Sequence, residues 1–257
     1  MNLGLEGKQV FISASTGGIG LAVADAFLEE GANVIVNGRD EVKLKEVVDK
    51  LQKSYGSNRV WGLSGDMAEE KDVQEICDKI GKKYGALDCL VANLGTGKPI
   101  TEDKLDLDEW NHMTKMNLFS DVSLLRYSRP LLAEEGASIV LVSSLAACER
   151  IAAPPAYAVA KAGVSVLVSY LAPELAKKNV RINAVAPGNI YFHGGRWEEL
   201  LKADESAVKE YIESDVPMKR FGTPEEIADT VVFLSSERAG FTTGTVMCVD
   251  GGQNRSL

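Results

Sequence analysis

The sequence predicts an α/β fold: a doubly wound parallel sheet of about seven strands with helices on both faces, in one domain spanning residues 1–257. Three observations predict it. Short apolar runs alternate with helix-period segments along most of the chain. A Gly-rich turn, Ala14-Ser-Thr-Gly-Gly-Ile-Gly20, joins the first run to the first helical segment. Polar residues recur just past the strand ends, where ligands sit in such sheets. With 257 residues, 45% hydrophobic and 25% charged, the chain can bury one sizeable core.

Val10-Phe-Ile-Ser13 reads as a buried first strand, and Ile19, Ala22, Val23, Ala26 and Phe27 as the inner face of a helix that Gly31 ends. Strand, Gly-rich turn and helix together aim backbone N–H groups and a positive helix end at one point, which suits a pyrophosphate. Ala32-Asn-Val-Ile-Val-Asn37 is the second strand. An acid just after it would bind an adenosine ribose 2′-hydroxyl, whereas an Arg accommodates a 2′-phosphate. Here the residues are Asn37-Gly38-Arg39-Asp40. This favours NADP(H), with NAD(H) as the alternative should Asp40 neutralise Arg39. An amphipathic helix is expected over 43–54, a strand over 59–65 ending at Asp66, a helix over 69–84 and a strand over 86–92 followed by Asn93-Leu-Gly95. One long helix is expected over 106–132, then a strand over 138–143 followed by Ser144.

Net charge is −9 and the pI is near 4.9, which disfavours nucleic acid and anionic membranes as partners. No uninterrupted apolar run reaches the roughly 20 residues that span a bilayer, and the N-terminus lacks the pattern of a signal peptide. The four cysteines are scattered, as expected for thiols in a reducing, cytoplasmic compartment. The two histidines, His112 and His193, lie far apart, and no metal site is expected.

Tyr157-Ala-Val-Ala-Lys161 carries the chemistry. Residues four apart share one helix face, so the Tyr157 phenol and the Lys161 ammonium can enter one cleft. A cation beside a phenol favours the phenolate and draws its pKa toward the working range, as proton transfer to or from an alcohol oxygen requires. Alone, the pattern equally describes an exposed pair on any helix.

Joined to Arg220-Phe-Gly-Thr-Pro-Glu-Glu-Ile-Ala228, Phe233-Leu-Ser-Ser236, Thr243-Gly244, Val249-Asp-Gly-Gly252 and Asn179-Val-Arg-Ile-Asn-Ala-Val-Ala-Pro-Gly188, it makes the chain resemble the short-chain dehydrogenase/reductase family nearly end to end. The resemblance implies a Rossmann-type fold and a catalytic tetrad of Asn117, Ser144, Tyr157 and Lys161. Tyr157 would exchange the proton with the substrate oxygen and Ser144 would orient that oxygen. Lys161 would lower the tyrosine pKa and hold the nicotinamide ribose, and Asn117 would anchor a relay water. Ser143 should face away. Cofactor contacts are implied for Ser13, Ser15, Thr16, Gly18, Ile19 and Gly20 in the turn, Asn37 and Arg39 after the second strand, and Asp66 and Met67 near adenine. Asn93, Gly95, Pro187, Gly188 and Ile190 complete the implied set. The family's paired long helices imply a homotetramer or homodimer.

Three residues depart from the family pattern: Ala14 in the phosphate turn, Leu94 in the Asn-Asn-Ala-Gly stretch, and Phe192 where a Thr is usual. Ala14 must hold a negative φ or carry strain. Pro173 should bend its helix near Ser169–Pro173. Segment 189–219 is expected to form the substrate lid, with a helix from about 198 to 214. Lys98, His193, Arg196 and Trp197 are candidate substrate contacts, and the three cations could hold a carboxylate or phosphate; solvated rim charges are the stronger expectation. A small-molecule carbonyl or secondary alcohol, such as a sugar or hydroxy acid, is the expected substrate. The alternative is a 3-oxoacyl group on an acyl carrier protein, disfavoured by the acidic stretch Leu131-Leu-Ala-Glu-Glu-Gly136. A nucleotide-binding sensor without turnover is a third, weaker reading, since the tetrad is intact.

Overall fold

A computed structural model describes residues 2–133 and 136–255; Glu134 and Glu135 of the acidic stretch lie outside the described residues. Seven parallel strands form one sheet: β1 (Gln9–Ile12), β2 (Asn33–Gly38), β3 (Val60–Ser64), β4 (Cys89–Ala92), β5 (Ser138–Val142), β6 (Arg181–Pro187) and β7 (Val246–Val249). Their spatial order is β3-β2-β1-β4-β5-β6-β7, so the winding reverses between β1 and β4. That reversal opens a crevice at the strand C-termini.

Alternation along the strands builds two cores. Val10, Ile12, Val34, Val36, Val91, Val140 and Val185 face α1 (Gly18–Glu29), α2 (Glu41–Tyr55) and α9 (Pro224–Ser235). Phe11, Ile35, Leu90, Ile139, Leu141 and Ile182 face the other way. There they meet α3 (Glu70–Tyr84), α5 (Ser120–Ser128) and α6 (Pro155–Ala176). The parallel register Val10↔Val34 and Val10↔Cys89 keeps each row on its own side. Phe27, fully buried between α1 and the sheet, represents the scale of these contacts: truncating such a side chain to Ala costs about 3–5 kcal/mol.

Caps set several helix starts. Asp40 accepts from the Val42 and Lys43 amides at 2.9 and 3.0 Å, so it caps α2 rather than neutralising Arg39. Thr223 and Glu226 form a reciprocal capping box on α9. By contrast α1 starts at Gly17, with no side-chain cap and no acid in its first turn.

The expected 106–132 helix is three pieces. α4 (Leu107–Thr114) and α5 are joined by a π-helical turn, Lys115–Phe119, and a 3-10 turn, Arg129–Leu131, follows. The Asn117 side-chain amide captures the Met113 carbonyl at 2.9 Å, a carbonyl that a regular helix would pair with a backbone N–H. The ladder then slips to five-residue spacing, Ser120 N–H donating to the Lys115 carbonyl. The expected lid helix is likewise two, α7 (Arg196–Ala203) and α8 (Glu205–Asp215), broken at Asp204, which caps α8 through the Ala207 amide. α6 runs unbroken through Pro173. Pro173 and Ser169 are both exposed, so water can satisfy the carbonyl that Pro173 leaves without a donor. This 22-residue helix is also long and apolar enough to cross a membrane by length and composition, an exception to the expectation from sequence; here it packs on the sheet as a core helix.

Candidate active site

A cleft of about 1560 Å³ opens over the strand C-termini. The phosphate turn, Asn93–Gly97, Ser144, Tyr157, Lys161, Pro187–Ile190 and the lid line it.

The phosphate turn is held from beneath. The Ser13 hydroxyl accepts from the Asn93 amide at 2.8 Å, and the Ser15 hydroxyl donates to the Ile12 carbonyl at 2.8 Å. The Asn37 side chain accepts from the Ala14 amide at 2.9 Å and donates to the Leu63 and Gly65 carbonyls, each at 3.1 Å. All three residues are buried. Their side chains are therefore scaffold, which leaves only the backbone of Ser13, Ser15 and Asn37 for the expected cofactor contact. Gly20 also works from below: a Cβ there would fall 2.5 Å from Asn93 Nδ2 and 2.6 Å from the Ala14 carbonyl. Ala14 takes φ +49°, so the turn carries the strained alternative, braced by the bonds from Ala14 N–H to Asn37 and from Asn93 to the Ala14 carbonyl (3.0 Å).

Above this scaffold Ala14, Gly17, Gly18 and Ile19 face the cleft. The α1 N-terminus behind them has no side-chain cap and no acid in its first turn, an arrangement that suits an anion. At its outer edge Thr16 packs on Gly38, and Lys43 Nζ would lie 3.3 Å from a Cβ on Gly17. Arg39 is exposed and reaches Asp66 only at 3.7 Å. Thr16, Arg39 and Lys43 thus frame one positively charged corner. Sequence reasoning missed Lys43; its signal was the four-residue spacing from Arg39. Met67 is buried and Asp66 half-buried; Asp66 receives the Ala68 amide at 2.9 Å, beside that corner.

The catalytic candidates converge. Ser144, not Ser143, faces the Tyr157 phenol and draws its pKa down. Ser143 instead donates to the Lys161 carbonyl at 3.1 Å and pairs with Ser165 at 3.0 Å. Lys161 is buried and its Nζ donates to the Val142 carbonyl at 2.7 Å. Asn117 Oδ1 accepts from the Thr96 amide at 2.8 Å, and its Nδ2 donates to the Thr96 carbonyl at 3.0 Å. A Cβ on Gly95 would lie 2.9 Å from Asn117 Oδ1 and 3.0 Å from Lys161 Nζ, so Gly95 is where the two meet.

The electrostatics differ from expectation. Burial pushes the Tyr157 phenol above its ordinary value, and the Ser144 hydrogen bond pulls it down by less. Burial also lowers Lys161, opposed by the charge of Asp121. In this state desolvation sets the direction of the Tyr157 shift, opposite to the lowering expected from a neighbouring lysine. Asp121, buried in the first turn of α5, was also missed; its signal was an acid four residues after Asn117 in a segment of small and apolar residues.

The lid cations are already paired. Lys98 meets Glu199 at 3.0 Å, Arg196 meets Glu199 at 3.1 Å, and His193 Nδ1 meets Glu198 at 2.7 Å. The Gly194 amide and then His193 hold Glu198 down at about 2. These contacts favour the solvated-rim expectation over the anion pocket: Lys98, His193 and Arg196 are each engaged by a carboxylate, with Lys202 also on Glu198, and of the three only Arg196 lines the cleft. Trp197 stacks on Tyr211 at 5.6 Å and packs on Phe221 at 5.2 Å, making the lid's own small core. Phe192 reaches over the phosphate turn, its ring 2.8 Å from where a Gly18 Cβ would be.

A family model described as enoyl-(acyl carrier protein) reductase matches residues 13–254. The chain is 32% identical to the 3-oxoacyl-(acyl-carrier-protein) reductase FabG of Aquifex aeolicus, over 98% of this chain and 99% of that protein. It is 31% identical to dehydrogenase/reductase SDR family member 4 of Caenorhabditis elegans, over 98% and 97%. Among solved structures it resembles L-sorbose reductase from Gluconobacter frateurii, complexed with NADPH and L-sorbose, with TM-score 0.91, 33% identity and full coverage of both chains. This agreement along the whole length joins the Ser144, Tyr157 and Lys161 cluster to a shared ancestry: the chain belongs to the short-chain dehydrogenase/reductase family of oxidoreductases.

Proposed function

We propose that the chain is an NADP(H)-dependent oxidoreductase that interconverts a carbonyl and a secondary alcohol on a small polar molecule, a keto sugar before a keto or hydroxy acid. The observation that carries this reading is the meeting of Ser144, Tyr157 and Lys161, backed by the buried Asn117 behind Gly95, in the same cleft as an uncapped helix N-terminus. The α1 N-terminus would hold the diphosphate. Thr16, Arg39 and Lys43 would hold the 2′-phosphate, with no acid directly after β2 to repel it. The NADPH complex of the full-length structural relative supports the same choice. The cofactor supplies hydride chemistry when bound. The chain supplies the proton: Tyr157 Oη gives it to, or takes it from, the substrate oxygen that Ser144 orients. The buried Lys161 charge favours the phenolate during that exchange.

The engagement of the rim cations by Glu198 and Glu199 supports an uncharged substrate, in keeping with the sorbose bound by the relative. Similarity to a carrier-protein reductase supports 3-oxoacyl reduction as the second reading. The exposed side chains Val122 on α5 and Val159, Val166 and Tyr170 on α6 support assembly as a homotetramer, and the four unpaired thiols support a cytoplasmic location. The test is NADPH and NADH oxidation against keto sugars, keto acids, diketones and acetoacetyl thioesters. Turnover of a keto sugar with NADPH, lost by at least 100-fold in Tyr157→Phe, is the expected outcome. Turnover of the thioester alone would replace the sugar reading with the carrier-protein one.

A further inference from the structure

The segment after β7 brings to the cleft wall a polar side chain that the chemistry above does not use. Gly251 and Gly252 take φ +65° and +85°, a left-handed pair that glycine adopts without steric cost. The chain turns there and buries Gln253, which is 5% exposed. The Gln253 side chain joins two residues that line the cleft, Asn189 after β6 and Tyr211 of α8. Asn189 Nδ2 donates to Gln253 Oε1 at 2.9 Å, and Gln253 Nε2 donates to the Tyr211 hydroxyl at 2.8 Å. Asn189 Nδ2 closes the triangle by donating to the same hydroxyl at 3.5 Å.

This triangle decides what each group has left. A hydroxyl carries one proton and two lone pairs. Tyr211 Oη accepts twice, so its proton is what remains to give. Asn189 Nδ2 spends both its hydrogens, so Asn189 Oδ1 remains to accept. Among the described residues, no acceptor takes the Tyr211 proton and no donor reaches Asn189 Oδ1. Both residues are held in place. The Tyr211 ring stacks on Trp197 with 14° between the planes, and the Asn189 carbonyl accepts from the Gly222 amide at 3.0 Å. A neutral donor beside a neutral acceptor matches an alcohol, which gives and accepts at once. It mismatches a carboxylate, which has no proton to give and would face Asn189 Oδ1.

We propose that Tyr211 and Asn189 read a substrate hydroxyl other than the oxygen on which Tyr157 acts, and that Gln253 is the positioning residue that directs them. The substrate class is then a polyhydroxy ketone and its polyol, ahead of a simple ketone or a keto acid. This rests on the oxidoreductase reading above and narrows it.

The test follows the full-length protein with NADP⁺ by NMR of tyrosine labelled with ¹³C at Cζ. The Tyr211 signal is identified by its loss in Tyr211→Phe, a variant that keeps the ring on Trp197. The probes are the keto sugars L-sorbose, D-fructose and dihydroxyacetone, with butanone as the ketone that lacks hydroxyls. A keto sugar should move the Tyr211 signal saturably, and butanone should not. In Tyr211→Phe that sugar, followed through the Tyr157 signal, should bind roughly 3- to 10-fold more weakly, the usual worth of one hydrogen bond. Butanone and NADP⁺ affinities should be unchanged. Gln253→Met removes the donor to Tyr211 at similar side-chain length. It should move the Tyr211 signal before any ligand is added and reproduce the loss that is selective for sugar. A fall in stability with sugar affinity intact would make Gln253 merely structural and overturn its role. A Tyr211 signal that no keto sugar moves, or a Tyr211→Phe variant that weakens sugar and butanone alike, overturns the proposal. Keto-sugar turnover beside a silent Tyr211 would retire this proposal alone. Absent turnover with a responding Tyr211 would retire the oxidoreductase reading alone.

Discussion

Ala14 sits at φ +49°, a region where an L-residue costs roughly 1–2 kcal/mol. Two hydrogen bonds, from its own N–H to Asn37 and from Asn93 to its carbonyl, keep it there. Ala14→Gly removes the steric cost and adds about 0.5–1 kcal/mol of chain entropy to be lost on folding. A net gain of about 0.5–1 kcal/mol is expected, read from the urea midpoint; a loss would mean that the methyl packs favourably. Gly95 makes the opposite case. A methyl there meets both Asn117 Oδ1 and Lys161 Nζ within 3.0 Å, so Gly95→Ala must displace one of them. Turnover should fall at least about tenfold, or about 1.4 kcal/mol in the barrier, with the melting temperature changed far less. An equal loss of both would place the damage in folding instead. The identities of Tyr157, Lys161, Ser144 and Asn117 were legible in the sequence because spacing and motif carry them. The sign of the Tyr157 shift and the importance of Asp121 were not, because both come from burial, which depends on how α5 and α6 meet in space.

Among the elements, strands and most helices were legible to within a few residues, because period-2 and helical-period apolar patterns report which side is buried. The errors share one cause. The 106–132 segment keeps helical periodicity throughout, yet one side chain, Asn117, captures a backbone carbonyl and forces a π turn. The lid segment breaks at Asp204 because that carboxylate caps the next helix. Each is a side-chain-to-backbone bond that composition cannot distinguish from a solvated polar residue. The lid was legible as a segment, but the pairing of its charges was not. Lys98 reaches across 101 positions to Glu199, and both side chains remain substantially exposed. Such a pair adds little to global stability, within about 0–1 kcal/mol, but it ties α7 to the loop after β4. Glu199→Gln should leave the urea midpoint nearly unchanged while speeding NADPH release measured by stopped-flow fluorescence. High salt should erase the difference between variant and parent. Equal release rates at low salt would show that the Trp197–Tyr211–Phe221 packing alone holds the lid.

For the whole molecule, the fully buried and the partly exposed carboxyls impose opposite pH dependences. Glu198 and Glu226 are held at about 2 by hydrogen bonds and cations, so their contribution is present above about 4.5 and is lost as pH falls. Asp121 runs the other way. Its folded value, about 7, lies above the ordinary 3.8, so between those two values the folded state binds a proton that the unfolded chain does not. Stability from this group is complete below about 3.8 and is lost as pH rises through about 7. At 1.36 kcal/mol per unit, the loss across that window is on the order of 3–5 kcal/mol. The two effects together place maximum stability near pH 4–5. Asp121→Asn carries no titrating group and should flatten the curve between pH 4.5 and 7, leaving the acid limb in place. Urea unfolding of parent and variant at half-unit pH steps measures this, and the difference between them cancels every other titrating group. Parallel curves through that window would mean that Asp121 is ionised throughout, held by Lys161 more strongly than its burial opposes.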